Sequence, residues 1–228
     1  MDPIVPVWER DGVVALVKPP GIPVFPPHAD PAGDCVLHRW ADTRSVQQGV
    51  VWPPGFDGGI VHRLDTSTSG QVLAARTLED LERVRMLFSS GALAKRYRLI
   101  TARDVSWDSH EVTTRIAHDK RRKGRMVIER GRQTPHRGKW YAAQTTFTRI
   151  APVEGGWLWE AIITTGVMHQ IRVHAASVGI PLVGDRRYGG GAPLPGQSVD
   201  FFLHHLGLSG SDLDPPQVPL PDFWPSPR

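Results

Sequence analysis

Proline and glycine recur along the whole chain, 21 and 23 times in 228 residues, and they limit how far any regular element can run. Proline fixes φ and removes a backbone donor, and glycine loses the most freedom on ordering, so clusters of the two end helices and strands. The apolar, β-branched run 13–17 is stopped by Lys18-Pro19-Pro20-Gly21. Residues 22–25 leave room for brief strand pairing before Pro26-Pro27. Residues 28–58 are rich in Pro, Gly and Asp and predict irregular chain with one helical turn at Val36–Ala41. From Pro215 onward there are too many prolines for a helix, which predicts an extended surface segment.

Between these breakers the periodicities are short. Thr77 has the chemistry of an N-cap, with Asp80 three residues on, and Leu78, Leu81, Val84, Leu87 and Phe88 follow at helical spacing up to Gly91. Residues 71–76 predict a strand. Residues 95–103 alternate, with Tyr97, Leu99 and Thr101 on one face. Residues 140–150 and 157–165 read as two more strands, 168–178 as a helix ending at Gly179, and 201–208 as a last apolar segment. No linker, internal repeat or low-complexity block divides the chain. The expectation is one α+β domain over 1–228 with a mixed, largely antiparallel sheet. Around it lie an N-terminal extension at 1–12, a basic loop or insertion at 118–139 and a Pro-rich tail at 215–228.

With 40% hydrophobic and 22% charged residues the chain resembles neither a disordered tail nor a membrane span. Cys35, the single cysteine, cannot form an internal disulfide, and the opening MDPIVPVWERDG lacks the basic and apolar regions of a secretory signal. Both point to the cytoplasm. Charge is uneven: 118–139 holds nine Lys and Arg against Asp119 and Glu129, a net of +7, whereas the rest carries 18 basic and 21 acidic residues, a net of −3. A basic stretch on a slightly acidic body suggests a polyanion contact, with a solvated loop as the bland alternative.

Two constellations carry chemistry. In Gly59-Ile-Val-His62-Arg63-Leu-Asp65-Thr-Ser-Thr-Ser-Gly70, one carboxylate lies between an arginine and small hydroxyl residues whose donors can keep it ionised and aimed. Such an aspartate can serve as nucleophile or base, or simply tie down its own turn. In Gly166-Val-Met-His169-Gln-Ile-Arg172-Val-His174, His169 and Arg172 share a helical face, and Arg172 could pair with a distant carboxylate such as Asp65. None of the ten histidines has zinc-helix spacing; His169 and His174 are five apart rather than four. No metal is expected.

Taken together, His-Arg-Leu-Asp-x-x-Thr-Ser-Gly (62–70), Lys-x-Tyr (95–97), His-Gln-Ile-Arg-x-His (169–174) and the late Leu203-His204 resemble the RluA family of RNA pseudouridine synthases. The opening Val-Ala-Leu-Val-Lys-Pro-Pro-Gly is similar to that family's first strand and turn, and Val-Pro-Leu-Pro-Asp-Phe to its closing segment. The matches follow the family's order from about residue 13 to 223.

The resemblance implies a pseudouridine-synthase-like catalytic domain with a central cleft. It would isomerise uridine in rRNA or tRNA stem-loops without a cofactor; apart from the resemblance, no obligate protein partner is evident and a monomer is the simplest expectation. Asp65 matches the catalytic aspartate, Tyr97 the tyrosine that stacks on the uracil, and Arg172 the arginine that pairs with the aspartate. Arg63 matches the residue that fills the gap left by a flipped base; flipping exposes atoms a stacked helix hides. His62, Lys95 and His169, with Lys120, Arg121, Arg122, Lys123 and Arg125 of the basic stretch, complete the expected RNA contacts. Three departures stand out: Val167 replaces an arginine, His205 replaces a small residue, and Ser209-Gly210-Ser211 replaces a hairpin. A stand-alone catalytic domain with no S4-type RNA-binding domain is expected. Two other readings compete with catalysis on RNA: an RNA-binding or chaperoning protein on the same fold, and a His-dependent metallohydrolase.

Overall fold

Why the breakers yield a sheet protein is visible in the computed structural model, which describes residues 2–41, 49–194, 196, 197, 199–210 and 213–228. These form two compact units: Met1–Leu93 with His204–Leu220, and Ala94–Leu203 with Pro221–Arg228. The strand pairs described run antiparallel except Ser69–Ala75 with Leu203–Ser209, which is parallel, so the class is α+β with a mixed, largely antiparallel sheet.

In the first unit the strands are β1 (Pro6–Arg10), β2 (Val13–Lys18), β3 (Ser69–Ala75) and β11 (Leu203–Ser209), hydrogen-bonded in the order β1-β2-β3-β11. β2 and β3 are antiparallel from Val13 opposite Ala75 to Lys18 opposite Gly70. β11 joins β3 in parallel, His204 opposite Ser69 and His205 opposite Gly70. Every residue of β3 is buried, and apart from Gln71 its side chains are small or apolar. Helix α1 (Val36–Ala41) stands where one helical turn is expected and runs for six residues. Helix α2 (Leu78–Ser89) starts as its sequence dictates: Thr77 Oγ1 accepts the Asp80 N–H at 3.1 Å and donates to Asp80 Oδ2 at 2.7 Å. Its Leu81 and Val84 pack with Val13, Leu73 and Leu208 in one core.

The second unit holds β4 (Ala94–Thr101), β10 (Gly156–Ile163), β9 (Thr145–Val153) and β5 (Ser109–Val112), in the order β4-β10-β9-β5. A smaller sheet, β7-β6-β8, is made by β6 (Ile116–Asp119), β7 (Met126–Ile128) and β8 (His136–Tyr141). Helix α3 (Gln170–Ser177) packs on β7 and β9, and Ile116, Met126, Ala143, Val173 and Tyr188 form their shared core.

Several expectations are corrected. The basic stretch 118–139 carries strand as well as turns: β6 ends in it, β7 lies inside it and β8 begins in it, with the apolar Met126 buried and most of the charged residues on the turns between them exposed. The N-terminal extension contains β1, an edge strand on β2. Residues 22–25 do not pair as a strand; the carbonyls of Pro23 and Val24 instead accept the N–H groups of Val36 and Leu37 and fasten α1. The single strand expected at 140–150 is two, because the Gln144 backbone bonds side chains instead: its carbonyl accepts from Gln170 Nε2 at 2.8 Å. The tail is extended, yet Val218 and Trp224 are buried. Ser211 of the shortened turn lies outside the described residues.

Candidate functional site

Asp65 stands on a tight turn that feeds directly into β3. Its carbonyl accepts the Thr68 N–H at 3.0 Å, and Asp65 is half-buried whereas Thr68, Ser69 and Gly70 are buried. The turn is fastened from below by Lys18, the last residue of β2, which has no exposed surface. Its Nζ donates to three backbone carbonyls, Thr68 at 2.7 Å, Thr66 at 2.8 Å and Pro19 at 2.9 Å. Burial pushes the Lys18 ammonium down to about 7, partly opposed by the negative charge of Asp65. The breaker cluster that ends β2 therefore also supplies the cation beneath the candidate aspartate. A lysine closing an apolar strand was the available signal.

Two histidines brace the other side of the turn. Ser69 Oγ and His204 Nδ1 share a 2.9 Å hydrogen bond, and burial holds His204 down at about 4, so it is neutral near pH 7. His205 Nδ1 bonds the Gln71 carbonyl at 2.7 Å. Gly70 (φ 117°) admits this close approach: a Cβ there would sit 2.1 Å from the His205 carbonyl oxygen. The late Leu-His pair is thus structural support.

His62 Nε2 accepts the Leu73 N–H at 3.1 Å and its ring packs against Phe88 and His205, so it pins the approach strand to β3. Arg63 is exposed.

In the second unit Tyr97 is buried in β4 opposite Ala161, and burial pushes Lys95, two residues earlier, down to about 8. Helix α3 begins at His169, whose left-handed backbone (φ 55°) turns the chain and lets Nδ1 share a 2.8 Å hydrogen bond with the Tyr188 hydroxyl. Arg172 is buried, and within its unit it pairs with Asp185, Nε to Oδ2 at 2.7 Å and Nη2 to Oδ1 at 3.0 Å. Its guanidinium also lies against the rings of Tyr188, at 5.1 Å, and Phe201, at 4.4 Å. Asp185 and Tyr188 were not singled out from sequence, since they sit in a Gly-rich turn with no periodicity. His174 is wholly buried between Thr145 Oγ1 and the Thr114 carbonyl, each at 2.9 Å, and burial lowers its pKa. Among the described residues no three His, Cys, Asp or Glu side chains gather as a metal site.

Lys120, Arg121, Arg122, Lys123 and Arg125 occupy the β6–β7 turn; the first four are exposed and Arg125 is half-buried against the Tyr188 ring. The structure brings this basic group and Tyr188 together. Among the described residues no helix is long and apolar enough to cross a membrane.

Residues 12–177 match the family model described as RNA pseudouridylate synthase. The chain is 31% identical over 227 residues to the ribosomal large subunit pseudouridine synthase D of Zymomonas mobilis, covering 93% of this chain and 68% of that one. It is 28% identical over 209 residues to an uncharacterized RNA pseudouridine synthase of Bacillus subtilis, covering 90% and 63%. Curated relatives such as these are longer, and the chain spans roughly 56–68% of the length of the first three. The solved structure of human RNA pseudouridylate synthase domain containing 1 superposes with a TM-score of 0.71 at 22% identity, covering 97% of this chain and 84% of that one, a likeness of fold.

Proposed function

From a chain that belongs to the RNA pseudouridylate synthase family, we propose an enzyme that converts uridine within RNA to pseudouridine. Asp65 is its catalytic group. In this isomerisation the bond from N1 of uracil to C1′ breaks, the base turns over while held, C5 bonds to C1′, and the C5 proton leaves as N1 gains one. No atom is gained or lost. Asp65 would attack the sugar or base directly or remove a sugar proton to give a glycal. Tyr97 stacks on the uracil and assists loss of the C5 proton, and Arg172 keeps the reacting carboxylate ionised and oriented. The reading treats both units as one catalytic domain, because residues of each match the family's pattern.

The observation that carries the assignment is the mounting of Asp65. A carboxylate on a turn fastened by two Lys18 hydrogen bonds, to the Thr66 and Thr68 carbonyls, is held in place before substrate arrives, as pre-organised chemistry requires. Exposed Arg63 and the basic 120–125 turn supply phosphate and base-gap contacts. The proposed substrate is a stem-loop of rRNA or tRNA, acted on by a monomer in the cytoplasm.

Asp65→Asn keeps the shape of the side chain and removes its charge. Folding and RNA binding stay close to wild type, and pseudouridine formation is lost in the chemical step. Single-turnover conversion of tritium-labelled uridine in RNA from a deletion strain, with enzyme in excess, reads this out. Substantial conversion by pure Asp65→Asn, with deamidation excluded by mass spectrometry, would falsify the assignment.

A further inference from the structure

The second unit contains a cavity of about 750 Å³ between the three-stranded sheet and α3, within the ~300–1,000 Å³ of sites that take small molecules. Its floor is apolar: Met126 and Ile128 from β7, Val173 and Ala176 from α3, and the Tyr188 ring. Its rim is cationic, formed by Arg121, Arg122, Arg125, Arg130 and Arg132. The one acid in the lining, Asp119, already accepts the Arg121 backbone N–H at 2.7 Å.

These arginines differ from most others in the protein. Arg39, Arg76, Arg96, Arg98, Arg115 and Arg172 each grip a carboxylate. Among the described residues none of the five rim arginines makes such a pair, and Arg125 Nε is buried without an acceptor. Five cations around an apolar floor demand an occupant that is anionic at its edge and flat and apolar at its centre. A duplex offers only phosphates to such a rim, since its bases are stacked inside. An unstacked nucleotide offers both, its base to the floor and its flanking phosphates to the guanidinium groups.

We propose that this cavity is a second RNA subsite, one that holds an unpaired nucleotide of the substrate apart from the uridine being isomerised. The proposal rests on the RNA-modifying reading and adds what part of the RNA the basic sheet reads. Tyr188 links the subsite to the proposed catalytic machinery, because its hydroxyl bonds His169 and its ring lies against Arg172.

The probe is a fluorescein-labelled ten-nucleotide RNA of mixed sequence carrying one 4-thiouridine, used single-stranded and as a perfect duplex. With wild-type protein the photo-crosslink falls on peptides holding residues 126–128 or Tyr188. Ala176→Phe fills the floor and weakens the single strand about tenfold or more while changing duplex affinity less than about twofold, the scale of one lost base–protein stack. Arg125→Gln, which leaves the floor intact, weakens both forms. Unchanged single-strand affinity in a folded Ala176→Phe, or an equal loss for the duplex, overturns the subsite. So does displacement of the oligomer by free nucleoside monophosphate at equal nucleotide concentration, which marks a small-nucleotide site instead. Should Ala176→Phe fail to fold, the wild-type crosslink decides, and crosslinks confined to other peptides overturn the proposal. The two readings fail separately. Protein that converts no uridine yet crosslinks here loses the enzyme and keeps the subsite; protein that makes pseudouridine without these crosslinks keeps the enzyme and loses the subsite.

Discussion

Arg172 grips Asp185 with two parallel hydrogen bonds, Nε to Oδ2 at 2.7 Å and Nη2 to Oδ1 at 3.0 Å, and both side chains are buried. The pattern of residues drew attention to Arg172 as a partner for Asp65. Within its own unit the planar fork is oriented by a carboxylate thirteen residues further along, at the start of a Gly-rich turn.

That arrangement makes Arg172→Lys more severe than its conserved charge suggests. An ammonium cannot reproduce the two-pronged grip, and the loss of one charge-assisted hydrogen bond is worth ~1.5–3 kcal/mol. Single-turnover rate should fall at least about tenfold, with RNA affinity little changed. Asp185→Ala leaves a buried guanidinium without this partner and should cost about 3–5 kcal/mol in denaturant unfolding. Wild-type turnover in Arg172→Lys removes the arginine from the mechanism.

Lys18 should leave a mark on the pH dependence of stability. Its folded value, about 7, lies below the ordinary lysine value of 10.5. Between these two the unfolded chain holds a proton that the folded chain has released, so stability rises with pH across that window. Below about pH 7 both states are protonated and the cost of the buried charge is constant. The stability difference between wild type and Lys18→Met should therefore grow in favour of wild type from pH 7 toward 10. A flat difference in urea titrations over that range would mean that Lys18 keeps its charge in the fold.

The β6–β7 turn should govern the salt dependence of RNA binding. If about five phosphates are neutralised, log affinity falls with log salt at a slope near −3.5 for a single strand. Replacing exposed Arg121, Arg122 and Lys123 with Gln should flatten the slope and weaken all RNAs alike, without loss of stability. An unaltered slope makes the turn merely solvated.

Gly70→Ala tests the mount of Asp65. The backbone lies at φ 117° and the added methyl would meet the His205 backbone, so β3 and β11 must part. A stability loss of about 3 kcal/mol or more is expected, the range of forced backbone strain combined with a steric clash. An unfolding midpoint equal to wild type would show that the parallel β3–β11 pairing tolerates the separation.

Sequence alone determined what local physics controls. Thr77 and Asp80 cap α2 because capping involves neighbours three residues apart, and the alternation through Tyr97, Leu99 and Thr101 makes a strand whatever lies beside it. The turn around Asp65 was legible for the same reason, since its hydroxyl residues and Gly70 act over five positions. Tertiary structure alone decided what lies beneath that turn and around Arg172. Lys18 reaches Thr68 across 50 residues, Ser69 meets His204 across 135, and Asp185 meets Arg172 from a turn that no periodicity marks. Charge masks the strand alternation within the basic stretch, and only the assembled chain shows Met126 of β7 packed with Val173 and Tyr188. Burial is a property of the assembled chain, and so are the lowered basicity of Lys18, the neutrality of His204 and the arginine-rimmed cavity.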